Sequence, residues 1–247
     1  MEVVFDDVLT IGNQALELNA VEIEKMAEKN GDDTTFVRGE WDECVDVRIC
    51  RIDGSRVVKL NFGEEGCLGS DGKTRKGTII LSFNRRFSKL NSEVITRFEN
   101  YEVDGIRVEG TKIVKNTASR EDKPRHSIQV KDAQITFRDG STRSWNSTRI
   151  RVWQAGFATP FDLRDDVYSV QGTYSGTNRL GNEFAIETLA PVIYRGACWL
   201  QGFRLPSSGL LKVSPAEKAE RTVDFGEGTC DNTYEVSIGE DTFDING

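Results

Sequence analysis

One histidine, His126, stands among 247 residues. A Ser-His-Asp hydrolase would have to use it, because an imidazole must take the proton of the attacking serine. No serine stands in a G-x-S-x-G elbow, and His126 follows Pro124 and Arg125 in a polar stretch, so an ordinary exposed loop histidine is expected. A single histidine also removes the common ligand sets of zinc hydrolases. Forty Asp and Glu residues leave a two-carboxylate glycosidase compatible with composition, but abundance singles out no pair. Asp162, Asp165 and Asp166 crowd one irregular stretch and form a calcium candidate through loop oxygens. They do not match D-x-[DN]-x-[DN]-G, and aspartates also close turns for local reasons. No cofactor is expected.

Two further patterns invite chemistry. Trp145 and Trp153 are eight apart in one predicted strand and share a face if no bulge intervenes, which makes them possible ligand-facing aromatics of a glycan-binding sheet. Trp199 directly follows Cys198. Core positions beneath the sheet are the preferred reading of these rings. The stretch from Gly66 to Gly77 is glycine-rich and basic, with Lys73, Arg75 and Lys76, but it lacks G-x-x-x-x-G-K-[ST] and no helix follows it. A surface connection is expected there.

The elements that would position these residues are organised around a cysteine-closed strand pair that occurs twice. The first runs from Cys44 through Arg56 to Phe62-Gly63 and Cys67, the second from Cys198 through Arg221 to Phe225-Gly226 and Cys230. Asp53-Gly54 is a two-residue hairpin signal, since such turns need positive φ. Folding at that point sets Cys44 opposite Gly63, near Cys67, and leaves Cys50 mid-strand as the odd thiol. Disulfides Cys44–Cys67 and Cys198–Cys230 follow, each clamping one end of the β region. No C-x-x-C spacing supports a zinc site instead. Paired cysteines at matching places imply an oxidising compartment.

The rest of the chain reads as strands of period two. Val45, Val47 and Ile49 alternate with polar residues. Further runs fall at 78–83, 93–98, 127–137, 144–153, 167–174 and 184–189, with turns at Asp104-Gly105 and Asp139-Gly140, and two last strands at 233–238 and 242–245. Turn signals between consecutive runs favour neighbouring antiparallel strands. The fold expected is all-β, an antiparallel meander forming a curved sheet or β-sandwich over residues 41–247 as a single domain. An acidic arm, helical or mobile, precedes it over residues 1–40.

The net charge is −8, and Lys and Arg are spread along the strands rather than clustered. That opposes a nucleic-acid footprint. No apolar run approaches the roughly 20 residues of a membrane-spanning helix. Met1 is followed at once by acidic residues, which reads as a trimmed start rather than a native leader.

Several stretches, in order, resemble a family of uncharacterised Bacteroidetes cell-envelope lipoproteins. They are Phe62-Gly63 with Gly66-Cys67, Asp71 to Gly77, Val108 to Thr111 with Val114 and Asn116, and Trp145 to Arg149. Thr159-Pro160, Asp165 to Tyr168, Gly172 with Gly176 to Arg179, and Phe225 to Cys230 follow. The resemblance runs from about Cys44 to the C-terminus. It implies an exported protein of the outer membrane, tethered by lipid on an N-terminal cysteine that is absent here. It implies no established activity and no catalytic residue. The function expected is non-enzymatic binding of a protein partner or glycan. The alternative is a glycan-acting hydrolase using two carboxylates.

Overall fold

The alternation of apolar and polar residues is realised as strands. The computed structural model describes residues 35–37, 44–52, 55–84, 89–118, 123–159 and 162–247. The strands are β1 (Thr35–Val37), β2 (Asp46–Ile52), β3 (Ser55–Asn61), β4 (Cys67–Leu68), β5 (Thr74–Phe83), β6 (Glu93–Val103), β7 (Ile106–Asn116), β8 (Arg125–Thr136) and β9 (Thr142–Ala155). They continue with β10 (Val167–Thr177), β11 (Glu183–Arg195), β12 (Ser208–Pro215), β13 (Arg221–Glu227), β14 (Thr233–Ile238) and β15 (Asp241–Asn246). A 3-10 turn, Leu163–Asp165, precedes β10, and a five-residue helix α1 (Gly196–Leu200) follows β11.

The sheet is an open meander in which each strand lies beside its sequence neighbours, except that β3 passes to β5 and β4 pairs with β5 alone. Neighbouring strands pair antiparallel, as short connections require. The expected all-β antiparallel meander is therefore what the chain forms. Packing divides it into two compact units, one holding the chain up to Ile113 with Asp132–Thr142, the other Val114–Lys131 with Arg143–Gly247.

In the first unit β2 and β3 pair in the expected register, with Ile52 opposite Ser55. Cross-strand rows then form the apolar face: Val47, Leu60, Ile79 and Phe98 in one, Ile49, Val58, Leu81 and Thr96 in the next. Val58, Leu60 and Ile79 are fully buried, and each such side chain contributes about 1.5–3 kcal/mol by leaving water. Tyr101 packs on Phe98 and Phe62 at 5.5 and 5.9 Å between ring centroids. Between β6 and β7, Asp104 and Gly105 both take positive φ, the conformation of a two-residue hairpin turn. Arg138 donates to the Asp104 carbonyl.

One expectation in this unit needs correction. Residues 66–77 are not a plain surface connection: Cys67–Leu68 pair with Arg75 and Thr74, so β5 begins four residues before the apolar run at 78. Arg75 is buried there and needs a counter-ion, which Asp71 supplies from the turn. The acidic arm 1–40 lies outside the described residues except for Thr35–Val37, which form β1 against β2.

Both expected disulfides are present, Cys44–Cys67 and Cys198–Cys230, and Cys50 is free. Each closes a strand pair, β2–β3 and β12–β13. They are not clamps on the outermost strands, since β1 precedes the first and β14 and β15 follow the second. Cys198 sits in α1 rather than in a strand.

In the second unit, Trp145 is 1% exposed and Ile128 and Val130 are buried. Beyond β10 the buried apolar side chains among the described residues are Val192, Cys198 and Pro206. The strands from β10 onward are instead part-exposed on both faces. The strand β12 had no counterpart among the expected runs, because Leu210 and Leu211 are adjacent and blur the period of two.

Candidate ligand-binding trough

His126 is not a loop residue. Thr117 N donates to the Arg125 carbonyl, so β8 has already begun at Arg125. The imidazole is half-buried, and burial, helped by the Arg151 cation, lowers its pKa to about 4. It is thus neutral at ordinary pH.

The calcium candidate does not assemble. Asp162 caps the 3-10 turn and binds Arg164 through its backbone N, Nε and Nη2, which brings its pKa down to about 2. Asp165 accepts from the Thr159 hydroxyl at 2.6 Å. Asp166 is 3% exposed and accepts from Trp153 Nε1 and the Tyr168 hydroxyl, both at 3.1 Å. Three carboxylates with three separate sets of partners leave none to share an ion. Among the described residues, no group of three or more His, Cys, Asp or Glu could hold a metal.

Of the two tryptophans, Trp145 belongs to the core and cannot face a ligand. Trp153 joins an aromatic corner: its ring stacks on Tyr168 at 5.5 Å, Tyr168 stacks on Trp199 at 6.3 Å, and Phe157 meets Trp153 edge-on. The register with β10 is unbroken from Gly176–Trp145 to Tyr168–Trp153, so the two do share a face. The faces of Trp153, Tyr168 and Trp199, each half-buried, lie against one another, which leaves little flat surface for a sugar. Tyr168 is pushed up to about 12, chiefly by burial and then by the Asp166 charge. The corner is a structural clasp built on Asp166 and the second disulfide.

The other face of the same sheet is open. Directly paired residues point to one side of a sheet, so the register places Thr148, Thr173, Glu187 and Lys212 in one row and Asn146, Ser175, Ala185 and Ser214 in the next. Their neighbours Ser147 and Tyr174 point to the opposite, more buried side, where Arg149 lies over the Tyr174 ring at 5.4 Å. Short side chains on β9 and β10 form a floor. Longer ones stand on both flanks, Gln129 and Lys131 from β8, Glu187 and Lys212 from β11 and β12. The difference in side-chain length makes a trough of about 620 Å³ within the second unit.

The floor is polar and uncharged. Asn146, Thr148, Thr173 and Ser175 are exposed, and the row continues to Ser144 and Thr177, whose hydroxyls meet at 2.8 Å. On the flank, Lys212 Nζ lies 3.3 Å from Glu187 and 3.8 Å from Glu220. Glu187 is the one carboxylate among the described residues that line the trough. An ammonium thus stands beside the one lining carboxylate, and among the described residues the next acid on this face, Glu183, lies opposite Thr177, outside the trough lining. The signal for this site is in the sequence: polar uncharged residues alternate at 144, 146 and 148 and again at 171, 173, 175 and 177. The same alternation of Ser, Thr, Asn and Gln describes any solvated strand, so the pattern by itself does not mark a site.

No protein-family model, curated protein or solved structure matches this chain.

Proposed function

We propose that this chain is a non-enzymatic, exported cell-envelope protein that holds an external partner, protein or glycan, in the trough on β8–β12. The observation that carries this reading is the trough itself, a concave surface with an uncharged hydrogen-bonding floor and a single lining carboxylate. A glycosidase would need two carboxyl groups facing across the bond to be cut. Two disulfides suit an oxidising compartment. Tethering at the outer membrane by lipid rests on the resemblance to Bacteroidetes envelope lipoproteins.

The test compares wild type with Ser175→Trp, which fills the exposed floor without touching the core. Both proteins are passed over immobilised envelope glycans and solubilised envelope proteins. Retention of the wild type but not of the folded variant is expected. Equal retention of both sinks the trough as the site, and release of reducing sugar by the wild type sinks the non-enzymatic reading.

A further inference from the structure

We infer that the trough takes an uncharged oligosaccharide laid along β9 and β10. This deepens the proposed function and rests on the trough being the ligand site. The floor decides the chemistry. A hydroxyl both donates and accepts, and an amide carries both roles on one group. The column Ser144, Asn146 and Thr148 on β9, with Gln171, Thr173, Ser175 and Thr177 on β10, therefore matches a ligand whose own groups are hydroxyls in either role.

Other occupants fit less well. An extended peptide binds by adding to a free sheet edge, whereas β9 and β10 each have a strand on both sides. An amphipathic helix needs an apolar groove, and the floor has no large apolar side chain between Ser144 and Thr148. A polyanion needs clustered cations. The trough has Lys131 and Lys212, and the second is already within 4 Å of Glu187 and Glu220.

The dimensions agree with one glycan strand. The walled part is lined on β9 by Asn146 to Thr148 and on β10 by Thr173 to Ser175, and the same face of β9 continues from Ser144 to Ile150, about 20 Å at ~3.4 Å per residue, enough for a short oligosaccharide. Ile150, which is 37% exposed, follows Thr148 on the same face and offers an apolar contact to the C–H side of a sugar ring. The ring that touches the trough lining, Tyr174, points away beneath Arg149, so no aromatic platform is on offer. Binding then depends on hydrogen bonds exchanged against water, each with a modest net gain, and millimolar affinity is expected.

The experiment is an amide NMR titration of the whole chain with cellohexaose, laminarihexaose, maltohexaose and mannohexaose as neutral probes. A heparin hexasaccharide is the anionic probe and a Ser/Thr-rich decapeptide the extended peptide. At least one neutral hexasaccharide should shift the amides of 146–148 and 173–175 saturably. Thr173→Val, which removes a hydroxyl at constant shape, should weaken that binding roughly three- to ten-fold with the remaining spectrum unchanged. Saturable shifts at these amides from heparin or the peptide alone overturn the glycan assignment and leave the trough as a ligand site. Absence of trough shifts from every neutral probe at millimolar concentration also overturns it. If Ser175→Trp in addition leaves envelope retention unchanged, the proposed function falls with it.

Discussion

Asp71 holds Arg75 through two parallel hydrogen bonds of 2.9 and 2.6 Å, with the guanidinium side chain 5% exposed and the carboxylate 43% exposed. The pairing joins the β4–β5 turn to the base of β5, and the Arg75 hydrogen bonds hold the Asp71 carboxyl well below the usual carboxylate range. Asp71→Asn removes the charge facing a buried cation. It should destabilise the protein by about 1–3 kcal/mol, at the lower end because water screens the exposed carboxylate. A depressed acid stabilises the fold above its unfolded pKa and loses that contribution as pH falls through the folded value. The difference between wild type and variant in urea midpoint should therefore be constant above pH 5 and shrink below pH 4. A variant as stable as wild type at pH 7 would show the pair to be incidental.

His126 predicts an acid sensitivity of the opposite origin. Its imidazole is kept neutral by burial and by Arg151, with a pKa of about 4 against 6.5 for the free side chain. Between those values the unfolded chain binds a proton that the folded chain does not, so stability falls as pH drops from 6.5 towards 4. The loss should be on the order of 2–3 kcal/mol, at about 1.4 kcal/mol per pH unit. His126→Asn should flatten that part of the stability profile. With one histidine in the chain, its ring proton resonances report the pKa directly, and a value above 6 would refute the burial argument.

Much of the fold was legible because strands of a meander carry their own punctuation. Asp53-Gly54 and Asp104-Gly105 name their turns, and the spacing of Cys44 and Cys67 around the first hairpin names its disulfide. The start of β5 was not legible, because Arg75 reads as loop charge until Asp71 is seen to neutralise it. His126 failed for a related reason: a polar run beside Pro124 looks like a loop, and only the pairing of Thr117 with Arg125 shows the strand already under way. The candidate site was the least visible. Its floor residues are what any wet strand would carry, and the trough exists through the contrast between short side chains on β9 and β10 and long ones on their flanks. That contrast depends on register, which no single strand records.

Asp166 should govern the titration of Tyr168. The phenol donates to Asp166 at 3.1 Å and is pushed up to about 12, with burial the larger cause and the carboxylate the next. Asp166→Asn should bring the Tyr168 pKa down, without reaching the ordinary value of 10, since burial remains. The difference in tyrosinate absorbance between this variant and its Tyr168→Phe derivative isolates the one group among five tyrosines. An unshifted Tyr168 in Asp166→Asn would mean that the hydrogen bond is not formed in solution. A raised tyrosine pKa stabilises the fold below pH 10 and loses that contribution as pH rises through the folded value, so wild type should also lose more stability than Tyr168→Phe between pH 10 and 12.

The two disulfides should differ in what their removal exposes. They span 23 and 32 residues, and closing loops of that size restrains the unfolded chain by roughly 3–4 kcal/mol each. Both double serine variants, made in a Cys50→Ser background to prevent exchange, should therefore lower the urea midpoint by similar amounts. Only Cys198→Ser with Cys230→Ser releases α1, whose Trp199 stacks on Tyr168 at 6.3 Å and lies against Tyr194 at 6.1 Å. Its near-ultraviolet circular dichroism should weaken in the tryptophan region under native conditions, whereas Cys44→Ser with Cys67→Ser should leave that signal intact. Equal loss of signal in both variants would show that the aromatic corner depends on global stability rather than on the tether beside it. An intact signal in both would show that packing around Asp166 holds Trp199 without the bond.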